Sequence, residues 1–140
     1  MVTVQWKGGM AFEAVPPSGN SIIMDSHPDF GGTNLGPSPM ETLLAAVGAC
    51  SAMDVVSILK KKQQEFSDYR IEVVGHRAPE GEYPRPYLKI EIKHIVKGKK
   101  LDHAAVARSV QLSDEKYCSV VATLRAAPEV TSSFTIEPEA

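Results

Sequence analysis

The chain has 140 residues, 43% apolar and 23% charged, which suits one compact domain spanning 1–140 and excludes a large multidomain enzyme. Fifteen Lys and Arg against seventeen Asp and Glu leave a net charge of −2, so no basic surplus exists to hold a phosphate backbone and no nucleic-acid partner is expected. Two cysteines are too few for a disulfide-dense secreted scaffold, and Met1 to Lys7 has no basic segment followed by an apolar one, so the chain reads as cytoplasmic with reduced thiols.

Alternating stretches at Thr3–Lys7, Met10–Val15 and Asn20–Asp25, separated by Gly8-Gly9 and by a Pro-Pro-Ser-Gly-Asn run from Pro16, predict a three-stranded antiparallel meander. Ser26 to Pro37 is rich in turn formers and lacks periodicity, which predicts a loop, ordered or mobile, leading into a helix. Ser38-Pro39-Met40-Glu41 supplies a capping serine, a proline at the first helical position and a glutamate at the third, so a helix starts there. From Leu43 to Leu59 only serine hydroxyls and Asp54 interrupt an apolar or small-residue run, and Lys60-Lys61-Lys62 then sits at the negative end of the helix dipole. A membrane span needs about 20 apolar residues. This run is shorter and holds an aspartate, so no membrane is expected; the helix reads as buried from every side, with a second copy of the chain covering part of it.

Strands are predicted at Tyr69–Arg77 and Tyr87–Lys97, joined as a hairpin by the proline-rich loop Ala78–Pro86, with Ile90, Ile92 and then Ile95 suggesting alternation with a slip. Asp102 can cap a helix through about Val110. Ser113 reads as a second cap, opening a helix from about Asp114 to Ala126 that Pro128 closes. A last strand fits Ser133–Glu137.

Cys50 lies in the middle of the apolar helix and Asp54 one turn further on the same face. Free cysteine is often a small core hydrophobe. A carboxylate in an apolar helix, however, costs several kcal/mol unless it is paired or solvated, so something polar should lie beside Asp54. An acid there raises a neighbouring thiol pKa, so an activated thiolate needs a cation or amide donors from elsewhere. Cys118 is placed near a helix N-terminus, where dipole and amides favour the thiolate, with Lys116 close in sequence. The sixty-eight residues between the cysteines exclude a C-x-x-C motif and a local zinc knuckle, so they act together only if the fold joins their helices. His27, His76, His94 and His103 lack ligand spacing, so no metal is expected, and Lys93, His94, Lys97, Lys99 and Lys100 read as a solvated basic face.

The stretch GPSPMETLLAAVGACSAMDVVSILKK, followed by LSDEKYCSVVATL, resembles the OsmC/Ohr family of osmotically inducible and organic-hydroperoxide-resistance proteins, and within it the YhfA-like branch. The carrying elements are Pro39-x-Glu41, the small-residue run from Ala45 to Cys50, and Tyr117-Cys118-Ser119-Val120. The resemblance implies an α+β OsmC-like fold, with antiparallel sheets wrapped around central cysteine-bearing helices in an intertwined homodimer whose active sites lie at the subunit interface. It further implies cofactor-free peroxidase chemistry. Cys50 attacks a hydroperoxide and becomes a sulfenic acid, Cys118 resolves it to a disulfide, and a dithiol, a lipoyl group in several members, reduces the pair. Peroxidase members carry a glutamate ten residues before the first cysteine and an arginine in the N-terminal strands. Here the first position is Met40, with Glu41 one residue later, and no arginine precedes Arg70. On a helix, ten residues bring a side chain to within about 80° of the cysteine and nine leave it about 180° away. Glu41 therefore reads first as the capping-box acid and assists only if the helix starts irregularly; with it, Asp54, Arg77 and Arg85 are the candidate assisting residues.

Three readings follow. The first is a peroxidase for organic hydroperoxides, favoured by the apolar neighbours Ala46, Val47 and Met53 around Cys50. The second is a non-peroxidatic OsmC-like dimer that binds a small hydrophobic or sulfur-containing ligand. The third is a structural dimer with core cysteines.

Overall fold

The computed structural model describes residues 1–139. Three short strands, β1 (Thr3–Trp6), β2 (Phe12–Val15) and β3 (Ile22–Met24), pair antiparallel in the order β1-β2-β3, as the alternation predicts. The loop that follows is ordered by one buried side chain. The Asp25 carboxylate accepts hydrogen bonds from the amides of Ser26, Thr33 and Leu35 and from the Thr33 hydroxyl, and these donors, the Ser26 amide foremost, hold its pKa below the usual carboxylate range.

Helix α1 (Pro39–Lys61) begins with the predicted capping box. The Ser38 hydroxyl accepts from the Glu41 amide at 3.2 Å, and the Glu41 carboxylate accepts from the Ser38 amide at 3.1 Å. Pro39 has no N–H, so two of the three orphan donors at the helix start are thereby satisfied. At the other end Lys60 and Lys61 occupy the last turn. The helix is long and apolar enough to cross a membrane by composition, yet it packs on β4 (Asp68–Arg77), α2 (His103–Leu112), a single π turn (Ser113–Tyr117) and α3 (Ser119–Ala126). Within the chain only one stripe of it is covered, through Val47, Gly48, Ser51, Val55 and Leu59. The expectation of burial from every side is thus not met by one copy: Ala45, Ala46, Ala49, Met53 and Ser57 face outward.

Strands β4 and β5 (Tyr87–Lys97) form the second antiparallel sheet. Their register runs without interruption from Asp68 opposite Lys97 to His76 opposite Lys89, and shifts only between His76 and Arg77, at the mouth of the hairpin. The predicted slip between Ile92 and Ile95 does not occur. Strict alternation instead puts Ile90, Ile92 and His94 on the same inner face as Tyr69, Ile71, Val73 and Gly75. Two glycines permit close approach here. A Cβ on Gly48 would meet Val73 Cγ2 at 2.8 Å, and one on Gly75 would meet the Tyr87 ring at 2.3 Å. The Tyr87 hydroxyl donates to the Met40 carbonyl at 2.9 Å and ties the hairpin to the start of α1.

Two further expectations are corrected. Asp102 caps α2 as predicted, but no helix runs unbroken from Asp114 to Ala126: the chain turns extended at Cys118, which is itself the N-cap residue of α3. Residues 127–139 form neither strand nor helix, so the Ser133–Glu137 strand is absent. A strand needs an edge to pair with, and no edge of this chain receives that segment; Val130, Phe134 and Ile136 project into solvent.

The close fit of α1 on β4 makes a direct prediction. Gly48→Leu would drive a side chain into Val73 and Ile71, and urea unfolding should show a loss of about 1–3 kcal/mol, despite the better helix propensity of leucine.

Candidate active site

Cys50 projects from the middle of α1, Asp54 lies one turn on, and Cys118 caps α3. Their two sulfurs and a carboxylate oxygen all lie within 4.8 Å of one another. Both thiols are free, Cys50 half-buried and Cys118 buried. Cys118 forms a core cluster with Val47 and Val121, and Cys50, Val73, Ile90, Ile92 and Val120 pack around it.

The π turn creates this juxtaposition. In a straight α-helix residues five apart differ in direction by about 140°. Here the Cys118 amide donates to the Ser113 carbonyl at 2.9 Å, an i to i−5 closure that stacks the two residues. Ser113 and Cys118 therefore both face α1, which a cap at Ser113 and a regular helix from Asp114 would not allow.

Ser113 answers the question that Asp54 poses. Its hydroxyl, fully buried, donates to Asp54 Oδ2 at 3.0 Å and lies 3.2 Å from Ser51 Oγ. Ser51 Oγ lies 3.2 Å from His94 Nε2, and His94 Nδ1 meets the Tyr69 hydroxyl. Burial pushes the Tyr69 hydroxyl up to about 12 and holds His94 below its ordinary value, against the opposing pull of Asp114. With His94 neutral, one arrangement of hydrogens makes these links, while the Ser113 hydroxyl also lies 3.3 Å from the Ser51 carbonyl. Tyr69 donates to His94, His94 Nε2–H to Ser51, Ser51 to Ser113, and Ser113 to Asp54. The whole chain of donors points at one carboxylate.

Sequence reasoning missed Ser51, Ser113, His94 and Tyr69. The signal for His94 was present: at period two it shares a face with Ile90 and Ile92, and the assumed slip hid it among surface lysines. Nothing in the sequence marked Ser113 as the partner of a residue fifty-nine positions away.

The cysteine helix terminus behaves differently from expectation. Burial pushes the Cys118 thiol up, and the neighbouring Cys50 sulfur adds to this, outweighing the Val121 and Val120 amides that pull it down. Lys116 lies over the Tyr117 ring at 5.3 Å instead of reaching the thiol. Glu41 is held in the capping box, its pKa lowered by the Ser38 amide. Arg77 Nε donates to the Arg85 carbonyl and Arg85 Nε to the Ala78 carbonyl, bracing the hairpin mouth. Among the described residues no lysine or arginine forms an ion pair with Asp54. Beside the thiol cluster, a groove of about 680 Å³ shares Val47, Ile90, Ile92 and Val121 with the packing around Cys118 and continues to Met40, Pro86 and Tyr87.

The family model described as OsmC-like protein matches residues 32–133, a span that holds both cysteines, Asp54 and the hydroxyl chain. The chain belongs to the OsmC-like family. It is similar to Protein YhfA of Escherichia coli strain K12, at 42% identity over 95% of each chain. Among solved structures it is similar to a hypothetical protein from Aquifex aeolicus VF5, at 36% identity over 91% of this chain and 87% of that one, with a TM-score of 0.76. It also shares its fold with the organic hydroperoxide resistance protein OhrB of Bacillus subtilis, at 23% identity over 88% and 90% of the two chains and a TM-score of 0.54. The α+β OsmC-like fold expected from the two cysteine helices is the fold observed.

The buried network makes stability depend on pH. His94 has a folded pKa below its unfolded value, so the unfolded chain binds the proton first. Its contribution is complete above about pH 6.5 and is lost as pH falls through the folded pKa. The urea midpoint of the wild type should therefore drop between pH 7.5 and 5.5 by more than that of His94→Gln; equal drops would show that His94 is not buried as neutral imidazole.

Proposed function

We propose that this chain is a thiol-dependent redox protein that reduces organic hydroperoxides, cytoplasmic and homodimeric, and recharged by a dithiol of the lipoyl type. The observation that carries the reading is the pairing of a half-buried and a buried free thiol whose sulfurs lie within 4.8 Å of each other. Reach and access support a division of roles. Cys50, the more exposed sulfur, attacks the outer peroxide oxygen as thiolate; the O–O bond breaks, the alkoxide leaves and takes a proton to become an alcohol, and Cys50 is left as a sulfenic acid. Cys118, protonated and sheltered, attacks that sulfenic sulfur; a disulfide forms and water leaves. The Asp54 carboxylate, fixed through Oδ2 by Ser113, is placed to take the proton that a thiol gives up. The groove beside the cluster, mainly apolar with Lys89, Asp114 and Arg125 among its lining, suits the tail of an organic hydroperoxide better than hydrogen peroxide. Arg77 and Arg85 are candidates for the cation that the departing alkoxide needs, because the hairpin mouth they brace leads into the groove at Pro86 and Tyr87. Glu41 has its place in the helix cap. The name of OhrB supports the substrate class.

Exposure of one full face of α1 and of Val130, Phe134 and Ile136 supports the homodimer, since a second copy can cover both. Sedimentation equilibrium should give twice the 15.2 kDa chain mass. Met53→Arg, on that exposed face, should shift it towards the monomer, whereas a wild type that sediments as one chain would overturn the dimer.

Mass spectrometry tests the chemistry. One equivalent of an alkyl hydroperoxide added to the reduced protein should remove both thiols and about two mass units, and a dithiol should restore them. Cys50→Ser should abolish turnover, while Cys118→Ser should accumulate Cys50 sulfenic or overoxidised acid. Survival of both thiols would instead favour a dimer that binds a small hydrophobic or sulfur-containing ligand in the groove.

A further inference from the structure

We propose that the reduced cluster of Cys50, Cys118 and Asp54 is also a binding site for a thiophilic divalent cation of the Zn²⁺ class, and that metal and disulfide exclude each other. The three ligand atoms, drawn from α1 and the N-cap of α3, already lie within 4.8 Å of one another. Around tetrahedral zinc, with Zn–S near 2.3 Å and Zn–O near 2.0 Å, two sulfurs stand about 3.8 Å apart and a sulfur and an oxygen about 3.5 Å apart, so closure on the ion needs movements of at most about 1.3 Å. Two thiolates and one carboxylate supply three negative charges for two positive ones. Soft sulfur ligands select Zn²⁺ over Mg²⁺ or Ca²⁺.

The surroundings complete the site. Ser113 donates to Asp54 Oδ2 at 3.0 Å, and no hydrogen bond among the described residues engages Oδ1. This is the outer-shell support that orients metal-binding carboxylates, and Ser51, His94 and Tyr69 brace Ser113 in turn. Asp54 has no Lys or Arg ion-pair partner among the described residues that a metal would have to displace. Cys50 and Asp54 are each half-buried, which opens an entry path and a fourth position for water. Binding exchanges two S–H bonds for two S–Zn bonds and releases two protons, with no change of oxidation state. Disulfide formation consumes both sulfur ligands, so only the reduced protein can hold the ion.

Oxygen-free titration of fully reduced, metal-free protein with Zn²⁺ against a chromophoric chelator tests this, with Co²⁺ as a second probe. One equivalent of Zn²⁺ per chain should bind, and Co²⁺ should give the near-ultraviolet absorption of thiolate-to-cobalt charge transfer. Binding should vanish in the disulfide form and in wild type alkylated at Cys50, which circular dichroism can show to be folded. Ser113→Ala should weaken binding about 10-fold or more through loss of the outer-shell contact. No binding by the reduced wild type, or unchanged binding after alkylation, would overturn the proposal. Neither measurement uses peroxide, so this site and the peroxidase reading stand or fall separately.

Discussion

A half-buried carboxylate on the most apolar helix of the chain needs polar partners, and that requirement shapes the packing around it. Asp54 receives the Ser113 hydroxyl, and behind Ser113 stand Ser51, His94 and Tyr69. The donors come from three places: α1 itself, the π turn after α2, and both strands of the β4–β5 hairpin. One acceptor thus links α1 to the π turn and to the β4–β5 hairpin. The π turn belongs to the same constraint: without it, Ser113 and Cys118 would point about 140° apart, and either the acid would lose its donor or the thiol pair would separate.

The surrounding core is thin. α1 places Val47, Ser51, Val55 and Leu59 at intervals of four against the sheet and the other helices, and Gly48 lets β4 approach to where a methyl group would collide with Val73. The opposite face, built from alanines with Met53 and Ser57, stays open in a single chain. An apolar surface of that extent on the central helix is costly in water. It is the physical reason for proposing that a second copy covers it.

The two thiols share a site and differ in almost every other respect. Cys50 borders solvent, whereas Cys118 sits in a cluster with Val47 and Val121 that disfavours its charged form. The charge of Asp54 opposes that of a neighbouring thiolate, so its proposed part in the reaction is to receive a proton, not to stabilise the thiolate charge. A site that combines a fixed anion with two sulfurs is suited to receiving protons or a cation, and this common electrostatic character underlies both the redox reading and the metal reading.

Local patterns determined much of this protein. The capping residues Ser38 and Glu41 start α1, Asp102 starts α2, turn formers separate the strands of the meander, and the two cysteine segments identify the OsmC-like family, because each depends on residues a few positions apart. Asp54 even announced that a polar partner had to exist. Only the tertiary structure decided which partner. Ser113 and Asp54 meet across fifty-nine residues, Ser51 and His94 across forty-three, and such pairings are set by how helices and sheet pack, which no local window contains. The same holds for the break at Cys118. A helix pattern continues through it, but the need to face Ser113 and Cys118 toward α1 together overrides the propensity of the segment. The Ser133–Glu137 alternation is the converse case: the pattern of a strand is present, and without an edge in its own chain to hydrogen-bond it, no strand forms.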